Sequence, residues 1–416
     1  MASTALFTAT LLAATALAQV PGPLTPEVHP SLTSYTCTKS GGCQALNTSV
    51  VLDSAYRWLH NVDGYSNCIT SGFNETFCPD VETCAKTCSL EGVDYASYGI
   101  RTSGDALTMN IYKTDPATNV TTLSSPRVYL LKDDETYDHF SLLNKEFSFD
   151  VDVSNVPCGI NGALYFSEMN QKGDQNELNK AGAKYGTGYC DAQCPTVNFI
   201  KGEVRSAATV MRVTKVFVTK MAATSTPIAT ETKPTTALEG NYTVDTGKPF
   251  TVVTQFITSD GSANGTLKEI RRLYVQAGKV IQNAKVNVPG LDPADSISDE
   301  YCTKQKQVFG GQDDTARQGG LKQMGEAIRR GMVLAFAIWD DAGSYMGWLD
   351  QDPYPADADS SKPGVGRGPC PTTGGRPADL IKQYPNARVV FSNIKSGEIG
   401  STYSNSTVHS VGTVRH

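Results

Sequence analysis

Hydrophobic residues recur in short runs along the chain, and several runs alternate apolar with polar side chains. Runs of this kind, rich in β-branched and aromatic residues, predict β-strands. They cover residues 106–112, 127–131, 147–153, 250–257, 271–275, 333–339 and 389–394. Clusters of Gly, Asn, Asp and Ser separate the runs, and Ser259-Asp260-Gly261 predicts a turn directly after one of them. The pattern favours an all-β fold built as a large antiparallel sandwich.

One segment has the spacing of a helix instead. Leu321, Met324 and Ile328 repeat at helical intervals between Gly319-Gly320 and Gly331. The basic pair 329–330 near the C-terminal end suits the negative end of a helix dipole. We expect this helix to pack on the edge of the sandwich.

The first eighteen residues have the features of a secretory signal peptide. An apolar stretch from 5 to 14 is too short to span a bilayer, and it is followed by Ala16-Leu17-Ala18, a small-x-small cleavage site. The mature chain is then expected to begin at Gln19. Six Asn-x-Ser/Thr sequons also suit a secreted glycoprotein. They lie at Asn47, Asn74, Asn119, Asn241, Asn264 and Asn405.

Charge and length narrow the class of protein. The net charge of −6 offers no electrostatic footprint for nucleic acid, and no later apolar run approaches the roughly 20 residues of a membrane helix. Partners are therefore expected to be neutral, and no membrane is expected. About 400 mature residues could form two domains, but a large sandwich also accommodates this length, so one domain over 19–403 is favoured, ahead of a polar tail at 404–416. We expect a monomer.

The usual hydrolase and metal motifs are missing. The five histidines form no cluster with metal-ligand spacing, and there is no Gly-x-Ser-x-Gly sequence. The pair Cys190-x-x-x-Cys194 could suggest a metal site, but an oxidising compartment favours disulfides. No metal or cofactor is expected. The eleven cysteines are an odd number, so at least one has no partner within the chain.

Two long blocks are the most informative motifs: 157–166 (PCGINGALYF) and 181–195 (AGAKYGTGYCDAQCP). Together they closely resemble glycoside hydrolase family 7, the fungal cellulases. Shorter blocks that also match the family occur in the same order along the chain. They cover residues 49–53, 57–58, 78–88, 147–153, 251–256, 339–341, 348–350 and 391–402. The resemblance extends over 19–204 and from 241 to about 403.

The resemblance implies a concanavalin-like β-jelly roll: two large antiparallel sheets with long loops, a few short helices and a groove for a β-1,4-glucan such as cellulose. It also implies retaining hydrolysis, in which one carboxylate attacks the anomeric carbon and a second, about 5 Å away, serves as acid and base. Family members carry both carboxylates on one strand in a Glu-x-Asp-x-x-Glu motif. This sequence contains no such motif, so no catalytic residue is assigned. Glu168 is a poor candidate for the nucleophile, because no second carboxylate follows at the required step.

The resemblance further implies four disulfides: Cys37–Cys43, Cys68–Cys88, Cys78–Cys84 and Cys158–Cys370. Cys190, Cys194 and Cys302 then remain. In the family their partners lie beside the nucleophile and in a Gly-Cys-Asp motif, which is the part of the chain that is missing or altered here.

The stretch 205–240 is unlike the rest of the chain. From Arg205 to Glu239 it has no Gly, Asp, Cys, Tyr or Trp and is crowded with Thr and Ala. A Thr/Ala-rich linker is one interpretation. A shifted reading frame is the other: Met221 to Thr230 can be encoded so that the next frame reads Gly-Cys-Asp-Phe-Asn-Pro-Tyr-Arg-Asn, which resembles a family 7 motif. The three remaining cysteines favour the shifted frame, because a linker would not deprive them of their partners.

The resemblance also supplies candidate sugar-binding residues. Aromatic rings stack on the apolar faces of sugars, whereas amides, carboxylates and guanidinium groups bind the hydroxyls. The candidates are Trp58, Arg127, Asn161, Tyr165, Tyr189, Asp191, Gln193, Trp339, Trp348 and Arg367. A tryptophan is ordinarily a core residue, and Arg127 could equally be a solvated strand residue.

Two hypotheses of function remain. In the first, the locus encodes a retaining endo-β-1,4-glucanase, with loops that favour endo over exo action, and this chain has lost its catalytic strand. In the second, the chain is a secreted, non-catalytic glucan-binding protein.

Overall fold

The computed structural model describes residues 20–189, 236–237 and 243–404. The predicted signal peptide, nearly all of the stretch 205–240 and the end of the tail lie outside the described residues. The strands are β1 (Val20–Pro21), β2 (Ser31–Thr38), β3 (Gly42–Leu52), β4 (Leu59–Asn61), β5 (Cys88–Leu90), β6 (Ile100–Ser103), β7 (Ala106–Asn110), β8 (Tyr112–Thr114), β9 (Thr121–Leu123), β10 (Arg127–Asp133), β11 (Thr136–Tyr137), β12 (His139–Phe140), β13 (Lys145–Asp152), β14 (Ile160–Ser167), β15 (Thr236–Ala237), β16 (Val244–Asp245), β17 (Phe250–Thr258), β18 (Leu267–Gln276), β19 (Lys279–Gln282), β20 (Ser296–Ile297), β21 (Met332–Asp340) and β22 (Arg388–Glu398).

Helices are short and lie between strands. The α-helices are α1 (Val81–Thr87), α2 (Asp299–Phe309), α3 (Asp314–Arg317), α4 (Gly320–Arg330), α5 (Gly347–Asp350) and α6 (Pro377–Gln383). Single 3₁₀ turns cover Ser54–Tyr56, Tyr95–Tyr98 and Ala183–Tyr185. No helix in the described part of the chain is long and apolar enough to cross a membrane.

Fifteen strands form one hydrogen-bonded network that folds into two layers. The first layer has the order β14-β21-β10-β3, and the second has the order β7-β22-β13-β17-β18-β19. Pairing within both layers is antiparallel. Strand β2 links them, because it pairs with β3 on one side and, in parallel, with β22 on the other. The predicted all-β sandwich is therefore confirmed, with one parallel ladder joining its two sheets.

Aromatic side chains fill the space between the layers. Phe336 of β21 meets Phe391 of β22 at 5.5 Å between ring centroids, and Phe166 of β14 meets Phe147 of β13 at 4.9 Å. All four rings are buried. Truncating such a ring to alanine typically costs about 3–5 kcal/mol, so this layer of aromatics is a major source of stability.

The predicted elements are confirmed with modest shifts of their ends. Each predicted strand coincides with a strand of the network, except that the run 106–112 is divided between β7 and β8. The predicted helix is α4, and its Gly325 approaches Leu267 of β18 closely, so the helix packs near the edge of the second layer as expected. The other five α-helices were not predicted, because their apolar residues are too few to show a clear period.

The four disulfides that the resemblance implies are present: Cys37–Cys43, Cys68–Cys88, Cys78–Cys84 and Cys158–Cys370. Of the remaining cysteines, Cys302 is buried on α2, and Cys190 and Cys194 lie outside the described residues. The Cys158–Cys370 bond joins the start of β14 to the end of a long loop, so it fixes that loop to the first layer.

Candidate functional site

The second face of the first layer carries the candidate site. Side chains alternate along each strand, so Phe336 and Ile338 enter the core while Ala335, Ala337 and Trp339 point to the opposite side. We call this side the groove face. Its buried side chains are Val51, Tyr129, Leu131, Tyr137, Ala163, Tyr165, Met169, Ala183, Val333, Ala335 and Ala337, with Tyr189 and Trp339 packed against them.

Small and aromatic residues are placed side by side on this face. Ala163 lies opposite Ala337 across the β14–β21 ladder, and Tyr165 lies opposite Ala335. The alanines leave room between the larger rings. Most of this face is buried, and the partly exposed Tyr189 and Trp339 are the aromatic members that a ligand can reach.

Arg127 is the centre of a polar cluster at one margin of the groove face. Its guanidinium donates to Asp53 at 2.7 and 2.9 Å and to the Tyr129 hydroxyl at 2.9 Å. It also lies over the Tyr189 ring at 3.7 Å, and the Tyr189 and Tyr165 hydroxyls are 2.9 Å apart. Three of the candidate sugar-binding residues, Arg127, Tyr165 and Tyr189, are thus brought together. Arg127 is therefore not a solvated strand residue.

Electrostatics keep this cluster charged. Burial alone would lower the pKa of Arg127, but Tyr129 and Asp53 outweigh burial and raise it. Burial and the adjacent Asp53 raise the pKa of Tyr129 well above its usual value, so this hydroxyl remains a donor and donates to Asp53. The guanidinium is therefore permanently charged and rigidly oriented.

A close backbone approach holds Tyr189 in this position. Gly186 has a φ of +73°, and a Cβ there would lie 2.1 Å from the carbonyl oxygen of Leu52, at the end of β3. The Ser54 amide donates to the Gly186 carbonyl at 3.0 Å, and the Tyr137 hydroxyl donates to the Thr187 carbonyl at 2.7 Å. Gly186, in the described part of the 181–195 block, is thus required by this close contact with the first layer.

Two predicted tryptophans meet at the other margin. The rings of Trp339 and Trp348 are 6.1 Å apart and inclined by 34°. Asp341 anchors Trp348 by accepting from its indole Nε1 at 3.3 Å, and it also accepts from the Gly343 and Ser344 amides. Burial opposes ionisation of Asp341, but these hydrogen bonds prevail and lower its pKa.

Asn161 lies opposite Trp339 in the sheet, and Arg367 lies in the loop that follows Trp348 along the chain. Asn161 is buried on β14 directly opposite Trp339. Arg367 lies in the loop after α5, where its guanidinium is 5.8 Å from the Tyr354 ring and its amide donates to the Gln351 carbonyl at 2.9 Å. The Cys158–Cys370 disulfide ties this loop to β14.

Trp58 lies apart, directly before β4 of a small three-stranded sheet formed by β1, β5 and β4. Trp58 is 36% exposed, its ring stacks on His60, and its indole Nε1 donates to Asn67 at 2.7 Å. The exposed ring of Tyr65 lies 6.2 Å away at an angle of 24°. The neighbouring Arg57 lies 5.2 Å from the Tyr185 ring, so the small sheet contacts the segment that carries Tyr189.

Two predicted residues cannot be placed, since Asp191 and Gln193 lie outside the described residues. Glu168, the poor candidate for a nucleophile, forms a bidentate ion pair with Arg330 at 2.5 and 3.1 Å. Its carboxylate is therefore already engaged.

The chain is similar to known proteins over most of its length. The model for glycosyl hydrolase family 7 matches residues 21–217 and 235–403. The probable endo-beta-1,4-glucanase celB of Aspergillus clavatus is 45% identical over 418 residues, covering 92% of this chain and 94% of the relative. The chain belongs to glycosyl hydrolase family 7.

Solved structures of family 7 members share its fold. The cellobiohydrolase of Daphnia pulex is 38% identical with a TM-score of 0.80, covering 92% of this chain and 100% of that one. A cellobiohydrolase of Melanocarpus albomyces, solved with cellotetraose, is 31% identical with a TM-score of 0.77, covering 92% and 99%. The family match is interrupted from 218 to 234, within the compositionally unusual stretch.

Several residues that hold the predicted site residues in place could not be found from the sequence. Asp53 and Tyr129 hold Arg127, Asp341 holds Trp348, and Asn67 holds Trp58. Asp53 and Asp341 stand inside the quoted blocks 49–53 and 339–341, so those blocks carried a signal. Their partners are distant in sequence and appear only in the fold.

Within the described ranges, two groups of side chains have metal-like spacing, namely Cys78 with Cys84 and Cys88, and Cys158 with Asp350 and Cys370. Every cysteine in these groups belongs to a disulfide. Their sulfurs are therefore not thiolate ligands for a metal.

Asp350 predicts a pH-dependent contribution to stability. Burial near the Cys158–Cys370 disulfide raises the pKa of this carboxyl from 3.8 to about 7. At a pH between these two pKa values, Asp350 keeps its proton in the folded chain and loses it in the unfolded chain. The free energy of unfolding therefore falls as pH rises from about 4 to about 7. In thermal melts across this range, we expect Asp350→Asn to reduce that fall. The exposed Asp357→Asn in the same loop is the control, and equal slopes in both variants would contradict the assignment.

Proposed function

We propose that this chain binds β-1,4-glucan along the groove face and that the activity of its lineage, retaining hydrolysis of internal β-1,4-glucosidic bonds in cellulose and β-glucan, is lost or strongly impaired in it. The proposal is supported by two observations: the fold brings Arg127 to Tyr189 and Trp339 to Trp348, and the sequence contains no Glu-x-Asp-x-x-Glu motif. We propose further that the chain is secreted through its N-terminal signal and acts as a monomer.

Binding is supported by the chemistry of the groove face. Trp339 and Trp348 offer rings for the apolar faces of glucose, and Arg127, Asn161 and Tyr189 offer polar groups for its hydroxyls. The guanidinium is already oriented by Asp53, so little conformational entropy is lost when sugar binds. The cellotetraose bound by the Melanocarpus albomyces relative is a ligand of this class.

Cleavage requires more than this surface. A retaining glycosidase needs two carboxyl groups about 5 Å apart, one free to attack and one free to transfer a proton. In the described contacts, Asp53 is held by Arg127 and Tyr129, and Asp341 is held by Ser344 and Trp348. The full sequence contains no Glu-x-Asp-x-x-Glu. The impaired activity is inferred from these two facts together.

The edge of β14 is a suitable place for a missing strand. Among the described residues β14 pairs only with β21, so no described strand covers its other edge. A strand that paired there would present every second side chain to the groove face, beside Asn161 and Tyr165. A Glu-x-Asp step on such a strand would place both carboxylates on that face.

The second candidate function is that of a genuine, non-catalytic glucan-binding protein. This candidate uses the same groove face as the first. It differs from the first in requiring that the 416-residue chain is the true product of the gene. Sequencing the transcript between the codons for Val204 and Asn241 decides between the two. An added segment that encodes the motif supports a damaged or mis-assembled endoglucanase, whereas an intact transcript supports the binding protein.

Binding is tested by titrating the secreted chain with cellotetraose and following enthalpy or tryptophan fluorescence. We expect measurable binding and about tenfold weaker affinity in Trp339→Ala, because a stacked ring contributes about 1–2 kcal/mol. Phe309→Ala, which removes an exposed ring at the end of α2, is the matched control and should leave affinity unchanged. Absence of binding in the unmodified chain, or an equal loss in both variants, would contradict the proposal.

A further inference from the structure

We propose that His60, held in place by Glu91, is the positioning residue of the Trp58 platform. The inference rests on the proposed function in one respect, namely that the ligand stacked on Trp58 is a glucan. The geometry of the platform itself does not depend on that function.

The first observation is the stacking of the two rings. The centroids of Trp58 and His60 are 4.1 Å apart, and the rings are inclined by 28°. His60 is only 1% exposed, whereas Trp58 is 36% exposed. One side of the indole therefore rests on a buried ring, and the exposed remainder is available to a ligand.

The second observation concerns protons. His60 Nδ1 lies 2.9 Å from the Asn61 carbonyl and 2.6 Å from the Gly64 carbonyl. Carbonyl oxygens only accept, so Nδ1 must carry a hydrogen. His60 Nε2 lies 2.8 Å from Glu91 Oε1 and faces a second acceptor. Both nitrogens thus face oxygen.

The third observation concerns the position of Glu91. Its Oε2 accepts from the Thr25 amide at 2.8 Å and from the Leu24 amide at 3.2 Å. Two backbone donors therefore fix the carboxyl group that faces His60 Nε2, so the imidazole ring has polar partners at both of its nitrogens.

The surroundings enclose this pair on every side. The Glu91 amide donates to the Trp58 carbonyl at 3.1 Å, which joins the carboxylate to the platform through the backbone. A Cβ at Gly22 would lie 1.9 Å from Glu91 Oε1, so the N-terminal segment closes directly over the carboxylate. The pairing of β1 with β5 holds that segment in place.

The consequence for Trp58 follows from the stacking. The buried His60 ring is held at both of its nitrogens, so the indole that lies against it has a rigid support. His60 therefore holds the indole at one inclination, and the hydrogen bond from Trp58 Nε1 to Asn67 fixes its rotation. A side chain without an aromatic ring at position 60 leaves the indole free to tilt, which weakens sugar stacking without any lost contact between His60 and sugar.

The experiment uses the full chain labelled with 5-fluorotryptophan, whose three ¹⁹F resonances are assigned with single Trp→Phe variants. We expect His60→Gln to shift and broaden the Trp58 resonance and to leave those of Trp339 and Trp348 unchanged. In titrations with cellohexaose, we expect about fivefold weaker binding for His60→Gln, and no further effect of this change in a Trp58→Ala background. His139→Gln, which alters a half-buried histidine on β12, is the control and should change neither readout.

Glu91→Gln provides a second test that keeps the shape of the carboxylate, and it should reproduce both effects. An unchanged Trp58 resonance in both variants overturns the proposal. An equal loss of affinity with and without Trp58 also overturns it, because His60 would then act through the fold in general. If the unmodified chain does not bind cellohexaose, the proposed function fails, while the ¹⁹F spectra still decide whether His60 positions the ring.

Discussion

Replacing the segment between Val204 and Asn241 with the corresponding segment of a family 7 endoglucanase that carries Glu-x-Asp-x-x-Glu is expected to give hydrolysis of soluble β-glucan where this chain has little or none. Each carboxylate in such a mechanism contributes about 10²- to 10⁴-fold to the rate, so the gain should be far above background. The measurement is release of reducing ends from carboxymethylcellulose, with the anomeric product followed by NMR to establish retention.

The design needs a control that keeps the inserted strand. The same chimera with the first Glu of the motif changed to Gln should fold, bind cellotetraose and remain inert. Comparable hydrolysis by the unmodified 416-residue chain would contradict the proposed impairment, as would a chimera that binds glucan with the motif in place and still does not cleave it.

The second large effect is expected from Asp53→Ala, which should lower the free energy of unfolding by about 3–5 kcal/mol. The Asp53 carboxylate is 3% exposed and holds the Arg127 guanidinium, so its removal leaves a largely buried positive charge without its counter-ion. Asp53 also accepts from the Ala55 amide at 2.7 Å at the start of a 3₁₀ turn. Urea unfolding followed by tryptophan fluorescence measures the change.

Two variants isolate the cause. Asp63→Ala removes an exposed carboxylate of the same type and should change stability by less than about 0.5 kcal/mol. The double variant Asp53→Ala with Arg127→Met should recover much of the loss, because it removes the uncompensated charge. If the double variant is as unstable as Asp53→Ala alone, packing around Asp53 rather than the unpaired charge is responsible.

The pattern of the chain predicted the strands but not which side of each strand faces the core. In the run VLAFAIW of β21, Leu334 and Phe336 enter the core while Ala335 and Ala337 line the groove face, and all four are apolar and buried. An apolar run covered on both faces gives no alternation from which to choose a side. Pairing with β10 and β14 decides it.

The sequence also does not show which charged residues interact with one another. From the sequence, Arg127 could be a solvated strand residue, and Asp53 was only one letter of a matching block. They are 74 positions apart and meet because β3 and β10 are neighbours in the first layer. His60 and Glu91 likewise meet through the β4–β5 pairing.

The sequence by itself determined the all-β class, the positions of the main strands and of helix α4, the odd cysteine count and the absence of the carboxylate motif. These depend on local residue patterns or on residues that are simply present or absent. Only the tertiary structure decided which side chains form the groove face, how Asp53 orients Arg127 and how His60 supports Trp58. Such contacts join residues that are distant along the chain, and their geometry is set when the strands pair and the two layers pack together.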